Sequence, residues 1–160
     1  MINILKKDKK SILDNIFGWQ GYFKIKTKSG IIVLKNRIMD DALDQLILSF
    51  YNSPPDMELA YLAIGDSSLA VTNSQSTLDN EVFRAPFLTK ARTGIGESTA
   101  IALITDTDYD GPIEEIGVFA GSGASGSVDT GLMISRVLWS YTKTATEELQ
   151  FTRIDKIIRG

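Results

Sequence analysis

Beyond Pro55 the chain offers only one kind of secondary-structure signal. A series of short apolar runs follows, ELAYLAIG, NEVFRAPFLTKA, STAIALIT, IEEIGVFAG, GLMISRVLWSY and EELQFTRIDKII, separated by clusters of Gly, Asp, Asn and Ser. No helical periodicity lies between them. Parallel strands need crossover segments, usually helices, so antiparallel pairing is the arrangement left open. The expected fold is mainly β with one helix, an antiparallel β-sandwich. Upstream, GYFKIKTKSGIIVLKN alternates Phe23 and Ile25 with Lys24, Lys26 and Lys28, and Ser29-Gly30 supplies a turn. This predicts a β-hairpin whose lysine row is a solvated strand face.

The one helix falls in NRIMDDALDQLILSFYNSPP, over about residues 37–51. Met39, Leu43, Leu46, Ile47 and Phe50 share a helical face, expected to pack on the core. Asn36 is the candidate N-cap, Asp40 and Asp41 suit the positive end of the helix dipole, and Asn52 to Pro55 stop it.

Within the strands, GLMISRVLWSY has apolar residues at both parities, as a central strand covered on both faces does. Arg136 lies in the middle of it. A buried arginine requires a carboxylate, and Glu81, Glu114 and Glu115 are the candidates. Glu81 and Arg84 are three apart, so regular alternation puts them on opposite faces, and Arg84 is expected to reach Glu114 or Glu115 instead. The final strand changes its apolar parity near Thr152, which predicts a bulge there. Gly117 is expected where a neighbouring group comes close.

Composition narrows the chemistry. The 160 residues include no Cys and no His. That removes disulfides, thiolate nucleophiles, the usual zinc sites and histidine general bases. Glu114 and Glu115 are adjacent and point to opposite faces of a strand, so they form no catalytic pair; the expectation is a non-enzymatic protein without cofactors. A net charge of −3 suits no phosphate backbone, so nucleic acid is not an expected partner. The N-terminal MINILKKDKK has no secretory h-region, and no window of the chain reads as a membrane span.

TDTDYDGPIEEIG resembles the start of a calcium loop, with Asp106, Asp108 and Asp110 at alternate positions. An EF-hand starting at Asp106 requires glutamate where Gly117 stands, and both flanks read as strands, so it is excluded. The expectation is a hairpin turn with Gly111 at positive φ, and no metal; a cation on Asp106, Asp108 and Asp110 is the alternative. GSGASGSVDTG lacks the P-loop lysine and reads as a flexible hairpin tip. Residues 1–20 hold the apolar Phe17 and, on one side of a short helical pattern, Ile12, Ile16 and Trp19 with Leu13 beside them, a marginal element alone. They are read as an assembly arm preceding a sandwich domain of residues 21–160.

In order along the chain, YLAIGDSS, LDNEVFRAPF, PIEEIGVFAG, GLMISRVLW and TKTATEELQFTRI resemble a module of tail-fibre, baseplate and related structural proteins of tailed bacteriophages and phage-tail-like bacteriocins. The resemblance covers roughly residues 36 to 157. It implies a virion structural protein that acts by protein–protein assembly. The expected partners are other virion proteins and further copies of itself, in the tail or neck of the particle. The length suits a compact adaptor, collar or baseplate subunit better than a fibre shaft. The alternative is a carbohydrate-binding β-sandwich that meets a host-surface glycan through Trp19, Tyr22 and Tyr109. Aromatics gathered at one concave end would favour the lectin, and dispersed ones the adaptor.

Overall fold

The structure, a computed structural model, describes residues 18–52 and 56–159. Nine strands occur in it: β1 (Gly18–Thr27), β2 (Gly30–Ile38), β3 (Leu59–Gly65), β4 (Glu81–Pro86), β5 (Thr89–Gly94), β6 (Glu97–Ile104), β7 (Gly111–Ala120), β8 (Leu132–Lys143) and β9 (Leu149–Ile158). A single helix among the described residues, α1 (Asp40–Leu48), follows β2. Every strand pairing is antiparallel, in the order β4-β3-β7-β8-β2-β1-β9-β6-β5. The described residues are thus mainly β with one short helix, as the sequence predicts, and their strands form one curled sheet resembling a half-barrel.

Two features set the curl. The halves of the sheet are joined only where the end of β2 meets β8, at Arg37–Arg136 and Ile38–Ser135. The outermost strands, β4 and β5, are consecutive in the chain. NEVFRAPFLTKA is therefore two strands, split where Phe87 and Leu88 cross from one sheet edge to the other. The Phe87 amide donates to the Ala60 carbonyl at 3.0 Å and the Leu88 amide to that of Ile101 at 2.8 Å, which fastens the edges together at this point. Inside the curl, Phe23, Ile25, Ala102, Ile113, Ile116, Val118, Leu149 and Phe151 form the main core. A smaller core of Met39, Ala63, Leu78, Phe119 and Met133 lies on the outer face of β3, β7 and β8. This two-sided burial is why β8 is apolar at both parities.

The helix differs from its expected form. It begins at Asp40 because backbone pairing carries β2 through Ile38, and turns continue to Asn52 after Leu48. Asn36 is not its cap: it is buried in β2, where its amide donates to the Ser135 hydroxyl. Met39 holds the N-cap position without a side-chain bond, and the Asp40 amide is satisfied by the Asn73 carbonyl at 3.0 Å. The helix is rolled so that Met39 and Ala42 are buried. Leu43, Ile47 and Phe50, expected in the core, are 45%, 51% and 70% exposed.

No bulge occurs in β9, whose register with β1 and β6 is unbroken through Thr152. Leu149, Phe151 and Arg153 continue one inward parity, and all three are fully buried. The parity change in the sequence is an inward arginine. Arg153 binds Asp155 through Nε at 2.9 Å and the Ser135 hydroxyl through Nη1 at 2.6 Å. A Cβ on Gly21 would stand 2.2 Å from its Nη2, so the glycine makes room for the guanidinium.

At the far end of the β1–β2 hairpin, the buried carboxylate of Glu147 accepts from the Tyr141 hydroxyl and from the Lys28 amide. Burial pushes its pKa up, but these hydrogen bonds outweigh burial and hold it below the ordinary glutamate value. A carboxylate depressed in the folded state contributes stability above its unfolded pKa, and that contribution is lost as pH falls through the folded value. Acid titration of the melting temperature should therefore show a drop below pH about 4.5 that is smaller in Glu147→Gln than in the parent. Equal acid sensitivity of the two proteins would show that this anchor does not contribute.

Candidate functional site

Four of the motif segments, YLAIGDSS, LDNEVFRAPF, PIEEIGVFAG and GLMISRVLW, meet on the outer face of β3, β4, β7 and β8, while TKTATEELQFTRI runs into β9 in the other half of the sheet. On that outer face the side chains of Glu81, Arg84, Glu115 and Arg136 make two buried ion pairs beneath two long loops, residues 66–80 and 121–131. The Glu81–Arg84 pair depends on irregular register, whereas Glu115 and Arg136 meet by regular pairing, Glu115 facing Leu138 and Gly117 facing Arg136 on the same face. Between β4 and β3, Ile64 faces Phe83 but Gly65 faces Glu81, so Val82 is an extra residue. Between β7 and β8, Val118 faces Ser135 while Phe119 faces Met133, so Ile134 is extra. Each bulge flips the alternation by one residue.

The bulge at Val82 places Glu81 and Arg84 on the same face, contrary to the expectation from regular spacing. They pair directly at 2.5 Å, with a second bond from Nη2 to Oε2 at 2.8 Å. Arg84 does not reach Glu114 or Glu115. Its Nη1 instead donates to the Ser125 and Thr130 carbonyls at 2.9 and 3.1 Å, and its guanidinium lies 4.6 Å from the centre of the Phe119 ring. Glu81 also accepts from the Asp129 amide. The Gly/Ser-rich segment is thus held at both sides of its tip by one ion pair.

Arg136 pairs with Glu115 at 2.6 Å, and both side chains are fully buried. The guanidinium also donates to the Gln75 side chain at 3.1 Å and to the Leu69 carbonyl at 2.9 Å. Glu115 accepts from the backbone amides of Asp79 and Asn80 at 3.1 and 2.8 Å. One pair therefore holds both limbs of the loop 66–80, and Leu78 plugs it into the small core. The close contacts explain two glycines: a Cβ on Gly117 would lie 2.9 Å from Leu78 Cδ2, and one on Gly65 would lie 2.3 Å from Glu115 Oε1. Glu114 points elsewhere and accepts from the Ser140 hydroxyl at 3.0 Å.

These carboxylates are occupied. Every oxygen of Glu81 and Glu115 accepts a hydrogen bond from a guanidinium or a backbone amide, so neither is placed to take a proton from a substrate. The arrangement fastens loops and leaves no open reactive group.

In the acidic turn, Asp108 accepts from the Thr105 amide at 2.8 Å, Tyr109 donates to the Pro112 carbonyl at 2.7 Å, and Gly111 has φ of 138°. Asp106, Asp108 and Asp110 are exposed, and no metal-ligating cluster occurs among the described residues. The Asp108 and Tyr109 side chains serve the turn, which is not the expected hairpin, since β6 and β7 do not pair and it crosses from one half of the sheet to the other. Asp106→Asn combined with Asp108→Asn should leave the melting temperature equally insensitive to calcium and to a chelator. A calcium-dependent rise in the parent that the variant lacks would reveal a site, since any ligand of the native state stabilises it.

Trp19, grouped with the N-terminal arm in the sequence, lies in β1, and its indole N–H donates to Asp155 at 2.9 Å. Ile12, Ile16 and Phe17 lie outside the described residues. Of the aromatics weighed as sugar platforms, Trp19 and Tyr22 are three apart on β1 and so face opposite ways. Tyr109 stacks on Phe83, with ring centres 6.4 Å apart. The three form no common platform. The residues missed by sequence reasoning are Arg153, Ser135, Asp155 and Gln75; a lone glycine at Gly21, opposite Asp155 in the register, was the one signal of the Arg153 cluster.

What these features define is a mainly β domain that spends its buried charges on fixing loops. No family model matches the chain, nor does any curated protein or solved structure.

Proposed function

We propose that the protein is a non-enzymatic structural subunit of a phage or phage-tail-like particle, an adaptor of the tail, baseplate or collar that works by protein–protein assembly. The observation that carries this is the apolar side of α1 and the turn after it, which is exposed among the described residues. Leu43, Ile47, Phe50 and Tyr51 are 45%, 51%, 70% and 73% exposed, side by side on one short segment. Exposed apolar residues so grouped mark an interaction surface. The ordered motif series supports the particle class, and occupied carboxylates and dispersed aromatics favour assembly over catalysis or glycan binding. In this reading the halves of the curled sheet act as the layers of a sandwich, and the residues before Gly18 form its assembly arm.

Light scattering on the intact chain tests it. The expected result is a defined multimer at micromolar concentration, reduced by Ile47→Glu with Phe50→Glu while the melting temperature holds. A parent that is monomeric at every concentration, alone and with extract of its particle, would contradict it.

A further inference from the structure

The curled sheet is fastened at Phe87 and Leu88 but gapes further along, where the start of β3 stands apart from the β5–β6 hairpin. The gap is a groove of about 450 Å³ whose apolar walls are Trp19, Leu46, Met57, Leu59, Ile134 and Ile157. Its charges are unequal. Asp155 is tied to Arg153 and Glu97 to Lys156, whereas Arg92 has no ion pair among the described residues. Leu46 belongs to α1, so the groove continues into the exposed apolar side of that helix. The helix start brings Asp40, Asp41 and Asp44, all exposed.

We propose that this groove is the receptor for residues 1–17 of a second copy of the chain. The inference rests on the assembly reading above and names the contact that carries it. The segment matches the surface in three respects. Ile12, Leu13, Ile16 and Phe17 supply apolar side chains for the walls. Asp14, within that set, supplies the carboxylate that Arg92 lacks. Lys6, Lys7, Lys9 and Lys10 supply four cations for the three aspartates of α1. Asp8 lies among these lysines, so the run carries a net +3 against the three aspartates, and opposite charges on the two surfaces favour the contact.

A second copy fits better than the chain's own segment. Trp19 and Ile157 face each other in the β1–β9 register and together line the groove, and Gly18 is already paired with Ile158. To enter the groove from its own strand, the chain must reverse before Gly18. A reversal takes four residues. It would consume Ile16 and Phe17 in the turn. A segment arriving from a neighbour keeps both for the walls, and reciprocal exchange gives every copy the same contact, as closed symmetric assemblies require.

The test uses full-length chains, with mass by light scattering across a dilution series. Arg92→Glu and Asp14→Lys should each weaken self-association by at least about tenfold, because each puts like charges together. The double variant should regain association, and an equal mixture of the two single variants should associate more strongly than either alone. If the parent is multimeric and neither single variant shifts the dilution curve, the groove is not the receptor, though assembly stands. If the parent is monomeric and Asp14→Lys, which leaves the groove lining unchanged, alters tryptophan fluorescence, the chain's own segment fills the groove and exchange is wrong. A monomeric parent with unchanged fluorescence removes both this contact and the assembly reading.

Discussion

Arg136→Leu should be among the most destabilising single substitutions in this chain. Glu115 would remain on the outer face of β7, fully buried, without the guanidinium that neutralises it. Removing one partner of a buried pair costs about 3–5 kcal/mol. For a domain of this length that lowers the melting temperature by roughly 6–20 °C. The loss has a second part, since Arg136 also holds Gln75 and the Leu69 carbonyl of the covering loop. Combining Arg136→Leu with Glu115→Leu should cost less than the sum of the single changes, because the stranded charge disappears. Two single variants melting like the parent would show that the pair is dispensable.

Gly65→Ala should cost about 3 kcal/mol, although it adds a single methyl group. Gly65 is not among the glycines at positive φ, so the effect does not come from left-handed backbone strain. The new Cβ would stand 2.3 Å from Glu115 Oε1 and 2.5 Å from the Asn80 carbonyl oxygen. The second atom is backbone and the first is clamped by Arg136 and two amides, so neither moves without breaking the fastening of the loop. Calorimetry of Gly65→Ala beside Gly123→Ala separates the effect from glycine replacement in general, since a Cβ at Gly123 meets nothing. A similar small shift in both would contradict the packing described.

The physical basis of these predictions also explains what could be read from the sequence. Alternating runs and a lone helical window were enough for a mainly β, antiparallel chain, because both are local patterns. The position of Arg136 on a strand apolar at both parities marked a residue that needs a carboxylate. The pairing of Glu81 with Arg84 was hidden by the bulge at Val82. Alternation is counted along one strand, whereas a bulge is set by the partner strand and by the loop it must admit. Arg153 was hidden for the opposite reason: the register holds, and a charged side chain occupies an inward place that a hydrophobic pattern reads as a break. The roll of α1 depends on which of two adjacent stripes meets the sheet, and apolar spacing does not distinguish them. The curl itself follows from β4 and β5 being consecutive strands at opposite edges, a long-range relation that no local window contains.

Glu115 and Arg136 fasten the loop 66–80, and the amides of Asp79 and Asn80 report on this directly. Both lie in an irregular loop, where backbone amides ordinarily exchange fast, yet both donate to the buried Glu115 carboxylate. Native-state hydrogen exchange should find them protected to nearly the level of the β7 and β8 amides, with protection lost in Arg136→Leu. Exchange of Asp79 and Asn80 at the rate of free loop amides in the parent would mean that the carboxylate is open, and would contradict the account.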